Sequence, residues 1–134
     1  MSGSMVILFV GSQADARGFY QSLLSSEPRL DVPGMTEFDL PGGPALGLMP
    51  EASIRRLLPG LGSIAPQPAR TARVELYLTV DDPRAWLDRA LEAGAVLLDE
   101  VRPRDWGDEA GYALDPWGHV LAFARTNAYG TAAS

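Results

Sequence analysis

The stretch Glu75-Leu-Tyr-Leu-Thr-Val-Asp-Asp82, continued by Pro83 and closed by Ala93-Gly94-Ala95, holds a complete strand-to-helix transition. Val74 to Val80 is β-branched and aromatic and alternates along its length, which predicts a strand. Asp82 followed by Pro83 is a helix start, because the carboxylate caps free N–H groups and proline has none to lose. Gly94 ends that helix. Outward from it, Ala95 to Val101 reads as a strand, and another approaches from Trp106 through Tyr112 and Leu114. Asp115-Pro-Trp-Gly118 is a tight turn, and His119 to Arg125 returns as the last strand. Residues after Thr126 read as a frayed tail.

The first half follows the same order. Met5 to Val10 is a short apolar strand, and Ala16, Phe19, Tyr20, Leu23 and Leu24 recur at helical spacing over Ala14 to Leu24, with Ser12 as N-cap. Turns fall around Pro28 and Pro33. Met35 to Leu40 and Ala45 to Met49 flank the turn Pro41-Gly-Gly-Pro44 as a hairpin, and Glu51 to Leu58 forms a brief connecting helix. The expected fold is therefore α+β: two βαβββ modules, residues 1–58 and 71–126. They are joined by a Pro/Gly-rich linker over 59–70 and followed by the tail 127–134. A βαβββ unit leaves one sheet face open, so the two should pair as a curved mixed-sheet cup within one structural domain.

Composition narrows the chemistry. The chain has 134 residues, no cysteine and one histidine, His119. Disulfides, thiolate nucleophiles, sulfur-built zinc sites and multi-histidine metal sites are excluded. A net charge of −6 argues against a nucleic-acid surface and suits a cationic or neutral small molecule. The apolar run Met5 to Val10 is too short for a signal sequence or membrane span, so a cytoplasmic location is expected. No nucleophile elbow accompanies His119, and Leu40-Pro-Gly-Gly-Pro44 precedes a strand instead of opening a phosphate-binding helix.

Several features in this order resemble the vicinal oxygen chelate superfamily, which holds glyoxalase I enzymes, extradiol dioxygenases, and fosfomycin- and bleomycin-resistance proteins. They are Val10 with Phe19-Tyr20, the stretch 75–82 with its helix, and Trp106-Gly107-Asp108 followed by Asp115-Pro-Trp-Gly-His119. The resemblance spans Met5 to Arg125. It implies the glyoxalase/bleomycin-resistance fold and, in metal-dependent members, ligands at places matching Met5, Gly47, Glu75 and Ala122. Only Glu75 offers a donor for a hard cation there, so no metal and no cofactor are expected, and the metal-free bleomycin-resistance branch is the nearest match.

Strand alternation sorts the faces independently. If Glu75 faces the cup, so do Tyr77 and Thr79, while Leu76, Leu78 and Val80 pack beneath a helix. Met5, Ile7 and Phe9 join them, with Ala45, Gly47 and Met49, and Val120, Ala122 and Ala124; the small residues would leave room for a ligand. The candidate ligand-binding set is Met5, Ile7, Phe9, Gly47, Met49, Glu75, Tyr77, Trp106 and Ala122. No catalytic residue is assigned beyond Glu75 as a candidate, which is either a rim carboxylate paired with Arg73 or Arg125 or a desolvated base. Trp117 is expected in the core or at an interface, and His119 on the helix side or capping its turn.

The expected function is metal-free binding, without turnover, of a hydrophobic or cationic small molecule such as an antibiotic, by a homodimer with no nucleic-acid or membrane partner. The alternatives are a metal-dependent glyoxalase-like lyase, isomerase or dioxygenase, a metal-free enzyme with Glu75 as base, and a ligand-free interaction module.

Overall fold

The computed structural model describes residues 3–61 and 72–126, which fall in two units, Met1–Pro68 and Ala69–Ser134. The first runs β1 (Met5–Val10), α1 (Gln13–Leu24), β2 (Leu30–Val32), β3 (Met35–Asp39), β4 (Ala45–Pro50), α2 (Glu51–Leu57). The second runs β5 (Glu75–Thr79), α3 (Pro83–Glu92), β6 (Val96–Pro103), β7 (Asp108–Leu114), β8 (Val120–Thr126). Each unit is thus a βαβββ module, the first extended by α2. The tail and residues 62–70 of the expected linker lie outside the described residues.

Each sheet has four strands, in the orders β1-β4-β3-β2 and β5-β8-β7-β6. In both, the opening strand pairs parallel to the closing strand, and the remaining pairs are antiparallel. The fold class is α+β, as the alternating pattern predicts. Helix starts follow the capping residues. Ser12 Oγ accepts from the Asp15 N–H at 3.2 Å, and Asp82 Oδ1 accepts from the Ala85 N–H at 3.2 Å. Such caps are each worth about 1 kcal/mol. Ser25 ends α1 in the left-handed region at φ 52°, and Gly94 turns the chain after α3 at φ 117°.

The core of each module lies between its helix and one face of its sheet. Leu8, Val10, Leu46, Leu48 and Phe38 are buried together with Phe19, Tyr20 and Leu23 of α1. In the second module Leu121, Phe123 and Ala113 are buried with Leu87 and Ala90 of α3, and Trp86 packs at 6.1 Å on the Phe123 ring. The helix lies over β7, β8 and β6. Leu76 and Leu78, on the outer strand β5, are in consequence only half-buried.

One strand lies where turns alone were expected. Between Pro28 and Pro33 the chain forms the three-residue β2, held as an edge by Gln13 of α1. The Gln13 side-chain amide donates to Val32 O at 2.8 Å and to Thr36 Oγ1 at 2.9 Å, and its carbonyl oxygen accepts from the Gly34 N–H at 2.9 Å. Thr36, fully buried, passes its own proton to Asp31 Oδ1 at 2.8 Å. A buried hydroxyl is tolerated because both of its roles are filled.

Candidate functional site

Register fixes which side chains share the open face of each sheet, since partners across a ladder point the same way. In the first module Met5 stands opposite Ala45, Ile7 opposite Gly47 and Phe9 opposite Met49. In the second, Glu75 stands opposite Val120, Tyr77 opposite Ala122 and Thr79 opposite Ala124. These are the sets that alternation predicts.

Neighbouring side chains come close to the small residues of this face. A Cβ on Gly47 would meet Ile7 Cγ1 at 3.1 Å, Met5 Sδ at 3.2 Å and Met35 Sδ at 3.3 Å. The gap left by this glycine is filled by the module's own side chains. Met35, absent from the sequence-based set, enters because β3 places it beside Val32 and one position from Thr36, the partner of Leu48. Phe9 faces another opening, a cleft of about 410 Å³ in which Ile54, Leu58 and Leu61 supply the apolar wall and Glu51 and Arg55 the polar one.

The second module has the corresponding filling. Tyr77 lies on β5, yet its hydroxyl donates to Asp108 Oδ2 on β7 at 2.5 Å, with β8 between them. A side chain making that bond must cross β8, a reach of about 10 Å over two strand spacings. Alanines at 110, 122 and 124 make the crossing possible, and all three are fully buried. So Ala122 and its neighbours form a floor beneath Tyr77.

Trp106 completes the arrangement. The turn Arg104 to Gly107 closes with a Gly107 N–H to Arg104 O bond of 3.1 Å and carries Gly107 at φ 98°, a conformation that suits glycine. It presents Trp106 so that Nε1–H donates to Tyr77 Oη at 2.9 Å. The chain Trp106 to Tyr77 to Asp108 therefore runs in one donor direction and ends on a carboxylate. Both rings stay exposed, Tyr77 by 39% and Trp106 by 58%. Burial first, and the Asp108 bond second, raise the Tyr77 phenol above its ordinary 10.0, against the pull of the Trp106 N–H. The Tyr112 phenol is raised as well, by burial and then by the negative charge of Glu75.

Arg104 anchors this corner. Its guanidinium donates to Asp99 Oδ2 at 2.9 Å, to Glu100 O at 2.9 Å and to Ala110 O at 2.8 Å, and lies 5.0 Å from the centre of the Tyr112 ring. Its hydrogen bond is the main reason the Asp99 carboxyl sits below its ordinary 3.8. The several partners of Arg104 lie on both strands of the β6–β7 hairpin.

Glu75 is exposed, at the first position of an edge strand, so it is not a desolvated carboxylate. Among the described residues it forms no ion pair with Arg73 or Arg125. Arg125 instead meets Glu109 Oε2 at 3.4 Å. His119 caps its turn: Nδ1 lies 2.8 Å from Asp115 Oδ2, and its N–H donates to Asp115 Oδ1 at 2.8 Å. Trp117 is half-buried in the same turn and donates its N–H to Asp115 Oδ1 at 2.9 Å.

A divalent ion is poorly served by these residues. Of the four places the resemblance singles out, Met5 brings a thioether, Gly47 and Ala122 no donor, and Glu75 one carboxylate. Among the described residues no three of His, Asp or Glu gather as a metal-binding group. These four places do not make a donor set for a tightly held hard cation.

Comparison with known proteins agrees with the fold. The chain is 39% identical over 57 residues to uncharacterized proteins of Mycobacterium bovis and Mycobacterium tuberculosis. That match spans 42% of this chain and only 38% and 34% of those relatives' lengths. A glyoxalase/bleomycin resistance protein/dioxygenase family enzyme from Burkholderia phytofirmans superposes with a TM-score of 0.79 at 19% identity, covering 92% of this chain and 97% of its own. A glyoxalase-related enzyme from Fulvimarina pelagi gives 0.75 at 19% identity, with 94% and 88% covered. At that identity the likeness speaks for the fold alone. The family model of the glyoxalase-like domain matches residues 6–124. Since that span takes in all but the outermost residues of the two βαβββ modules, the chain belongs to the glyoxalase-like domain family of the vicinal oxygen chelate superfamily.

Proposed function

We propose that this protein binds a small molecule without a metal ion, on the open face of the β5-β8-β7-β6 sheet. The observation that carries this reading is the hydrogen-bonded chain from Trp106 through Tyr77 to Asp108. Two large aromatic rings, one on β5 and one on the β6–β7 turn, are tied by hydrogen bonds and remain accessible, with an alanine floor beneath Tyr77 and the carboxylates of Glu75 and Asp108 beside it. Apolar walls with a few convergent polar groups are what small-molecule sites use. The ligand is hydrophobic or cationic, an antibiotic of that chemistry being one case. Glu75, exposed at a sheet edge, takes part as a charge and not as a base. A homodimer belongs to the same reading; Val96, Leu97 and Leu98 on the edge strand β6 are exposed and support an apolar contact there.

Native mass spectrometry of protein purified without added metal tests this. The expected spectrum contains a dimer free of stoichiometric metal, with a retained or added small molecule bound. Tight one-to-one binding of nickel, zinc, manganese or iron would instead favour a metal-dependent lyase, isomerase or dioxygenase.

A further inference from the structure

We infer that the rings of Trp106 and Tyr77, with the carboxylates of Asp108 and Glu75, form a recognition site for an organic cation: an ammonium group, quaternary or protonated, on a small apolar body. This rests on the binding reading above and narrows its ligand class. Tyr77 has its hydroxyl proton committed to Asp108, and its oxygen already accepts from Trp106. What the pair offers a ligand is therefore ring surface, whose negative faces attract cations.

The two carboxylates beside the rings, Asp108 and Glu75, form no ion pair among the described residues, whereas three of the basic groups nearby are engaged by other carboxylates. Arg102 and Arg104 hold Asp99 at 2.8 Å and 2.9 Å, and Arg125 faces Glu109. Arg73, two positions from Glu75, makes no ion pair with it. A neutral ligand covering this face would strip water from two carboxylates and give nothing back. A cation compensates both, and the chain's net charge of −6 adds a field of the same sign. The Tyr77 phenol stays protonated through the neutral range, so the charge of the site is that of its carboxylates.

The test compares choline with dimethylbutanol, its neutral carbon isostere, using proton–nitrogen correlation spectra of the intact protein. The Trp106 indole N–H, assigned by its loss in Trp106→Phe, is the reporter. Choline is expected to move that signal with an affinity about tenfold tighter than dimethylbutanol. Asp108→Asn and Glu75→Gln should each bring the ratio toward one, and added salt should do the same in the wild type. Glu75 is exposed on an edge, so its variant reads the charge without disturbing the fold. Equal affinities for the two probes, or a ratio unchanged in both variants, overturn the cation inference and leave small-molecule binding standing. No shift with either probe overturns both.

Discussion

His119 Nδ1 stands 2.8 Å from Asp115 Oδ2, and between these two residues the chain turns the corner from β7 to β8. The Asp115 side chain also accepts the N–H groups of Trp117 and His119, and the residue is only 2% exposed. Asp115→Ala would leave those donors and the imidazole without their acceptor. The expected loss is about 2–3 kcal/mol in urea denaturation. Asp115→Asn keeps one oxygen acceptor and should lose less.

Two glycines on the sheets should respond to alanine by different amounts. A Cβ at Gly111 would lie 2.7 Å from Val101 Cγ2, 3.0 Å from Leu87 Cδ2 and 3.1 Å from the Val101 backbone nitrogen. Backbone cannot yield as a side-chain end can, so Gly111→Ala is expected to cost about 1–3 kcal/mol. At Gly47 two of the three neighbours are methionine sulfurs, the yielding ends of flexible chains. Gly47→Ala should stay within about 1 kcal/mol of the wild type by the same denaturation assay.

Gln13→Ala removes the amide that ties the β2–β3 hairpin to α1. Three hydrogen bonds go, and Thr36 keeps only its bond to Asp31. A loss of about 1–3 kcal/mol is expected, with amide exchange rising first in β2 and at Gly34. Uniform loosening of the whole module would argue that β2 is held by other means.

The pH profile should carry two signatures. The Tyr77 phenol has a raised value in the folded protein, so its contribution is complete below 10.0 and is lost as pH climbs through the folded value. Phenolate absorbance should rise late, and Tyr77→Phe should remove part of that late phase. Asp99 is the reverse case, with a carboxyl lowered by Arg104. Its contribution is present above 3.8 and disappears as pH falls through the lower folded value, so Asp99→Asn should flatten the acid limb of a stability curve.

Much of the fold was legible because strands and helices carry their periods locally. The alternation in Glu75-Leu76-Tyr77-Leu78-Thr79 assigns faces that the ladder to β8 repeats, and Ser12 and Asp82 mark their helices by chemistry alone. The strand β2 was not, since three residues between prolines have no period to read, and its support comes from Gln13 in another element. Tyr77 was legible as a residue of the cup face and Trp106 as a candidate ligand contact, but their meeting depends on the stagger between strands and on the turn Arg104 to Gly107, which no local pattern encodes. What lies over the small residues is not written locally either. Alternation tells which way Gly47 and Ala122 point, not which longer side chain lies across them.

The parallel pairing of opening with closing strand has a consequence in time. Met5 is about forty residues from its partner Ala45, and Glu75 lies somewhat farther from Val120. During synthesis each module's first strand emerges well before the strand it will lie against exists, whereas the hairpins β2–β3 and β6–β7 can close locally as they appear. Completion of either sheet waits on its last-made strand. A ribosome pausing before Val120 would hold a nascent chain whose β5 is still searching for an edge, which is the interval when such a strand is most open to a chaperone or to a wrong partner.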